Sequence, residues 1–123
     1  MQTSRKSLGN LGEEIACDYL RRLGHTVLRR GWRASHQEVD LITKDSRGVH
    51  FVEVKSRVAP LASSPLDSLT YSKKRNLVKA ANAFVARGEA VGTEIFFDAV
   101  TVIFEGEKTF VRYYPEIFIP LYY

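Results

Sequence analysis

Gln37-Glu38-Val39-Asp40-Leu41-Ile42-Thr43 and Val49-His50-Phe51-Val52-Glu53-Val54-Lys55 both alternate polar and apolar residues with period two. That is the mark of strands with one wet face. Lys44-Asp45-Ser46-Arg47-Gly48 between them is rich in turn formers, so the segments read as a β-hairpin. On the first strand Glu38 and Asp40 point one way, Val39 and Leu41 the other; on the second Phe51, Glu53 and Lys55 share a face against Val52 and Val54. If the loop runs from Asp45 to Gly48, Lys44 pairs with Val49, Asp40 sits opposite Glu53, and Glu38 sits opposite Lys55. Directly opposed Cβ atoms lie about 4.5–5.5 Å apart, so two carboxylates would meet beside an ammonium. Opposed like charges destabilise a sheet, and a compensating cation is expected. Mg²⁺, which takes one or two carboxylates, waters and substrate phosphates, suits the place. A slip of one residue would put Asp40 and Glu53 on different faces.

The chain has 123 residues, read as a single domain over 1–123 with one real core. Its 45% hydrophobic and 26% charged content are ordinary globular values. No apolar run approaches the ~20 residues of a membrane span, and Met1 to Ser7 lacks the apolar region of a secretory signal. One cysteine, Cys17, excludes an internal disulfide framework and fits a reducing cytoplasm, the expected location. No Cys/His cluster has zinc spacing. The net charge is +4, and the chain outside Glu13, Glu38, Asp40 and Glu53 is more basic still. A basic body around an acidic spot suits a polyanion that must meet a metal; a basic surface that serves only solubility fits the same numbers.

In chain order, Leu8, Leu11, Ile15, Ala16, Tyr19, Leu20 and Leu23 recur at helical spacing, with Ser7 as a cap and Gly24 as the stop. The stripe centres between Tyr19 and Leu23, which leaves Glu14 and Cys17 on the wet side and Glu13 at its edge. Periodicity alone reads Glu13 as a first-turn glutamate favoured by the helix dipole. His25 to Arg33 gives a short strand, with Arg29, Arg30 and Arg33 continuing a basic cluster around Trp32. That cluster is either a phosphate-binding edge or a solvated surface over a core tryptophan. His25, His36 and His50 are scattered and receive no role. Ser56 to Ser68 reads as a loop, and Thr70 or Ser72 caps a helix from about Lys73 to Arg87, stopped by Gly88. Lys73, Lys74 and Arg75 in its first turn oppose the macrodipole. A bound phosphate would resolve that conflict, and an untuned solvated turn is the bland alternative. Glu94 to Phe104 is an interior strand whose Asp98 needs a backbone or basic partner, and Thr109 to Tyr114 is the last strand. The aromatic tail Phe118 to Tyr123 either packs on the domain or forms a subunit contact. The order α-β-β-β-α-β-β gives an α/β fold with a mixed sheet flanked by helices.

Asp40, twelve residues, then Glu53-Val54-Lys55 is a weak spacing by itself. Set in this hairpin, after a helix bearing Gly12-Glu13, it resembles the restriction-endonuclease-like nuclease superfamily. More narrowly the chain is similar to the YraN-type bacterial family, related to archaeal Holliday junction resolvases. The matching residues are Gly12-Glu13, Ala16, Tyr19-Leu20, Gly24, Glu38, Asp40-Leu41-Ile42, Phe51 to Lys55, Arg57, Lys73, Leu77 and Phe97-Asp98. Gln37 and Phe96 depart from the family's usual Gly and Arg, and the segment after Arg57 lacks its usual glycine pattern. The resemblance implies a restriction-endonuclease-like core and a metal-dependent endonuclease that hydrolyses DNA, with branched DNA as a candidate substrate. It implies that Asp40 and Glu53 hold Mg²⁺ or Mn²⁺ with the Val54 carbonyl as a third ligand, and that Lys55 orients or deprotonates water. Glu13 and Glu38 would complete the acidic ring, directly or through water, and Lys73 would approach a phosphate. Arg29, Arg30, Arg57, Lys73, Lys74 and Arg75 are the candidate DNA contacts. A homodimer is expected, because symmetric cutting of two strands needs two sites. The alternative is a non-catalytic nucleic-acid-binding or assembly module that keeps the fold.

Overall fold

The central hairpin takes the register that its turn length dictates. In the computed structural model, which describes residues 5–120, β2 (Gln37–Lys44) and β3 (Gly48–Val58) are antiparallel. Lys44, Thr43, Ile42 and Leu41 face Val49, His50, Phe51 and Val52 in turn. The Asp45 carboxylate organises the turn: its Oδ1 accepts from the Arg47 N–H at 2.9 Å and the Gly48 N–H at 3.3 Å, the side-chain-to-backbone bonding that favours Asp in turns. Gly48 has φ +154°, and a Cβ there would lie 2.3 Å from the Glu94 carbonyl oxygen. Glycine therefore lets the two strands start side by side.

Around this hairpin run α1 (Arg5–Arg22), β1 (Thr26–Ala34), α2 (Tyr71–Ala86), β4 (Glu94–Glu105) and β5 (Lys108–Tyr114). The element order is the expected one. The sheet order is β1-β2-β3-β4-β5; β3 and β4 are parallel, and the other neighbours antiparallel. A parallel pair needs a crossover, and α2, with a 3₁₀ turn at Pro65–Ser68 before it, supplies one. Thr70 caps α2 by accepting the Lys73 N–H. β3 runs through Val58, three residues past the expected end of the strand at Lys55, because its pairing with β4 continues to Val58 and Phe104.

Alternate residues of the hairpin feed two separate cores. Ile42 and Phe51 pack with Leu77, Ala80, Phe84 and Phe97 beneath α2. Leu41 and Val52 pack with Ala16, Cys17, Leu20, Val100 and Val102 beneath α1. Val39 breaks the alternation. It joins Phe51, Phe84 and Trp32 on the α2 side, although a regular strand would put it with Leu41. At the same level of the neighbouring strand Gly31 has φ +56°, between the pairs Arg30–Leu41 and Trp32–Val39. Only glycine takes that conformation freely. Arg30 accordingly reaches Glu14 on α1, while Trp32 meets Phe84 on α2 edge-on at 5.4 Å.

Helix α1 departs from its expected stripe. Cys17 is fully buried, whereas Leu11 and Leu23 are 47% and 51% exposed. The helix begins at Arg5, so Ser7 lies inside it and Glu13 well beyond its first turn. Its buried line is Gly12, Ala16 and Leu20, spaced four apart. Small residues let the helix lie close on β3. The tail packs on its own domain as far as it is described: Phe118 stacks on Phe97 at 4.8 Å. Its last three residues fall outside the described range. Asp98 finds the backbone partner expected of it, the Glu116 N–H at 2.9 Å, with His50 and Tyr113 besides.

A Cβ at Gly12 would lie 1.7 Å from the Ser56 Oγ and 2.9 Å from its Cβ. Gly→Ala inside a helix ordinarily gains about 1 kcal/mol. Overpacking costs typically 1–3 kcal/mol, and at this separation the clash wins. Gly12→Ala is expected to lower the melting temperature, with Ser56→Gly in the same chain recovering part of the loss. A Gly12→Ala protein as stable as the parent would show that α1 does not depend on this contact.

Candidate active site

Pairing between β2 and β3 ends at Leu41 and Val52, one step short of the two acids. Asp40 does not continue the ladder; its Oδ2 accepts the Val54 N–H at 2.8 Å. A side chain thus satisfies a backbone donor that the parting strand leaves behind. β3 is held on its other edge by β4 through Val58, so β2 is the strand that peels away. An open cleft of about 710 Å³ lies at the parting, lined by Glu13, Asp40, Val54, Lys55, Ser56 and Arg57 among others.

Glu13, Asp40 and Lys55 line it, and Glu53 and Lys73 lie near enough to act on them through their charges. Lys55 is only 7% exposed, and its Nζ donates to the Glu53 Oε1 at 3.1 Å. Lys73, in the first turn of α2, has its pKa lowered first by the charge of Lys55 beside it and then by burial. Asp40 is pushed up from 3.8 to about 8, chiefly by burial and next by the charge of Glu53, against the Val54 N–H that favours its ionised form. Glu13 is raised by burial, which outweighs Arg30, with Glu38 and Glu53 adding to the rise. Asp40 and Glu13 are therefore held back from ionising partly by the carboxylates near them. A divalent cation among them would reverse that penalty.

The remaining expected residues divide. Glu38 does not face Lys55; its Oε2 takes Arg33 Nη2 at 3.0 Å, and only its charge reaches Glu13. Arg30 is paired with Glu14 at 2.8 Å, beside the acids. Arg29 is paired with Glu89, far along the chain from them. Arg57 bonds the Ser56 carbonyl at 2.8 Å and reaches Ser68 Oγ at 3.4 Å. Lys74 lies over the Phe118 ring at 5.8 Å, and Arg75 is exposed. The arginines around Trp32 are thus largely matched to acids, whereas Arg57 lines the cleft and Lys73 stands beside Lys55.

Sequence reasoning missed a second polar cluster. His25, Asp45, His50 and Asp98 meet at the turn end of the hairpin. Their spacing in sequence is irregular, because they come from the lead into β1, the turn, β3 and β4. The one available signal was the register, which sets His50 opposite Thr43.

A mixed sheet with a helix on each face, parted at one end around an oxygen-rich acid cluster and a buried lysine, defines the class of domain. Within it, the chain belongs to the UPF0102 (YraN-type) family: the model for that uncharacterised protein family matches residues 12–102. A UPF0102 protein of Clostridium kluyveri is 39% identical over 104 residues, covering 85% of each chain. One from Chloroherpeton thalassium is 37% identical over 102 residues, 83% of this chain and 79% of that protein. Among solved structures, Hjc of Archaeoglobus fulgidus, a Holliday junction resolvase, superposes with a TM-score of 0.49 at 19% identity, over 86% of this chain and 75% of that one. Among the described residues no helix is long and apolar enough to cross a membrane.

The elevated Asp40 pKa has a thermodynamic consequence. Between its ordinary value of 3.8 and about 8, the folded chain holds a proton that the unfolded chain has released. Stability of the metal-free protein therefore falls as pH rises through that window. Asp40→Asn keeps an acceptor for the Val54 N–H but removes the charge, so it should flatten the fall and raise the melting temperature near the window's upper end. Melting curves across the window that are parallel for the two proteins would contradict this.

Proposed function

We propose that this protein is a divalent-metal-dependent endonuclease that hydrolyses DNA phosphodiester bonds, with branched, four-way-junction-like DNA as its substrate class. The observation that carries the reading is a cleft lined by Glu13, Asp40 and Lys55, with Glu53 and Lys73 close enough to act on that set through their charges. Pure binding of a polyanion gains nothing from half-buried carboxylates, which repel phosphate. Cleavage through a metal requires them.

The donor set is all oxygen: the three carboxylates, joined by the Val54 carbonyl. In a strand a residue's N–H and C=O point to the same side, so that carbonyl faces the parting as its N–H does. Such a set fits Mg²⁺ or Mn²⁺ rather than a thiophilic metal. A cation held there would supply polarisation of the scissile phosphate and a bound water of lowered pKa. Asp40 and Glu53 are the principal ligands, with Glu13 at the edge and Glu38 acting through water. Lys55, buried beside Glu53, orients the attacking water and offsets charge that develops on the phosphate. Lys73 and Arg57 position the backbone of the DNA; Lys74, Arg75, Arg30 and Arg29 supply a more distant field, the last two weakened by their acid partners. Positioning of this kind reads no bases. Cutting two strands symmetrically requires a second copy, so the working unit is a homodimer on DNA. Phe118 packs on its own sheet and so is not the surface that joins the two copies. DNA as substrate and one free cysteine fit the cytoplasm.

One feature favours the rival, a binding or assembly module: the Lys55–Glu53 ion pair satisfies Glu53 without a metal. Incubation with plasmid and synthetic four-way junctions, with and without Mn²⁺, separates the two. Metal-dependent cleavage is expected, and Asp40→Asn or Glu53→Gln should lower it by roughly a thousandfold, since a lost ligand removes several kcal/mol of charge stabilisation. Junctions that are bound but uncut by the parent, with binding unchanged in Asp40→Asn, would favour the module.

A further inference from the structure

The histidine cluster lies three residue pairs from the acids, about 10 Å along the strands. Among the described residues, His25, Asp45 and His50 alone bring three potential ligand atoms within 4.8 Å of one another. Both imidazoles turn their Nε2 toward the same carboxylate: His50 Nε2 is 2.8 Å from Asp45 Oδ1, and His25 Nε2 is 3.5 Å from Asp45 Oδ2. The two side chains are 1% and 3% exposed.

Each ligand is also fixed from behind. His25 Nδ1 meets the Thr43 hydroxyl at 2.8 Å, and His50 Nδ1 meets the Asp98 carboxylate at 2.6 Å. The Arg47 and Gly48 amides hold Asp45 Oδ1. Asp98 is itself held by the Tyr113 hydroxyl at 2.5 Å and the Glu116 amide at 2.9 Å. A histidine that offers Nε2 while its Nδ1 bonds a carboxylate has the outer shell found behind metal-bound histidines.

We propose that His25, His50 and Asp45 form a second metal site, for a borderline transition-metal ion of the Zn²⁺ class, separate from the acid cluster. Two imidazoles and one carboxylate suit zinc and its neighbours, whereas the all-oxygen acids suit Mg²⁺. The charges also balance. Asp45 and Asp98 carry two negative charges, and a divalent ion with neutral imidazoles cancels them. His50 Nε2 and Asp45 Oδ1 stand 2.8 Å apart across the position that the ion would take. Asp45 lines an open groove with Lys44, Arg47, Gly48 and Phe96, so a fourth position is reachable from solvent.

The full chain, stripped with chelator, is titrated with Co²⁺ and then Zn²⁺. Expected are the visible bands of four-coordinate Co²⁺ at one ion per chain, their displacement by Zn²⁺, and a higher melting temperature with Zn²⁺. His25→Gln should abolish the bands, and Asp40→Asn should leave them intact. Should His25→Gln fail to fold by circular dichroism, Asp45→Asn decides, because asparagine keeps the turn but weakens the ligand. Absence of four-coordinate bands in the parent, or bands that survive these substitutions yet vanish in Asp40→Asn, would overturn the proposal.

Discussion

One constraint shapes the parted end of the sheet: β3 does not pair with both β2 and β4 along its whole length. It pairs with β4 to Val58 but with β2 only as far as Val52. Past that point the Val54 N–H would be orphaned, and the Asp40 carboxylate takes it. The bond does two things at once. It completes the backbone hydrogen bonding of an inner strand, and it draws an acid into a low-dielectric place beside Glu53. The parting that needs Asp40 structurally is therefore the parting that creates the cleft.

The rest of the fold keeps that arrangement rigid. Gly31 reverses the facing of β1 at the level of Asp40, so that Trp32 and Val39 close the α2 core while Arg30 turns to α1. Gly12 lets α1 settle against Ser56, which brings Glu13 to the rim. Thr70 starts α2 where Lys73 stands near Lys55. Two cores, one on each face, stabilise a sheet end that is electrostatically unfavourable by itself. Stability given up at one place and recovered elsewhere is the usual pattern of a functional site.

Much of this was legible in sequence. The turn length set the hairpin register as far as Leu41 and Val52, and the expected opposition of Asp40 to Glu53 continued a ladder that stops one pair short of it. Thr70, Gly88 and the apolar spacing from Leu77 to Phe84 placed α2. Errors arose where small residues or a single backbone angle govern packing. Periodicity weights large side chains, so it put Leu11 and Leu23 inside and Cys17 outside, although the contact line runs through Gly12 and Ala16. Alternation put Val39 with Leu41 because a positive φ at Gly31 leaves no trace in hydropathy. Glu38 was set against Lys55 by continuing a ladder that stops earlier. The histidine cluster was invisible because its members share no element.

The central claim is that the acids at the parting exist to hold a hard divalent cation. A crystal soaked in Mn²⁺ tests it most directly, through the anomalous signal of the ion. The expected result is a peak about 2 Å from oxygens of both Asp40 and Glu53, lost in crystals of Asp40→Asn. A saturating soak with no peak there, and with Lys55 still on Glu53 and Asp40 still on the Val54 amide, would contradict it.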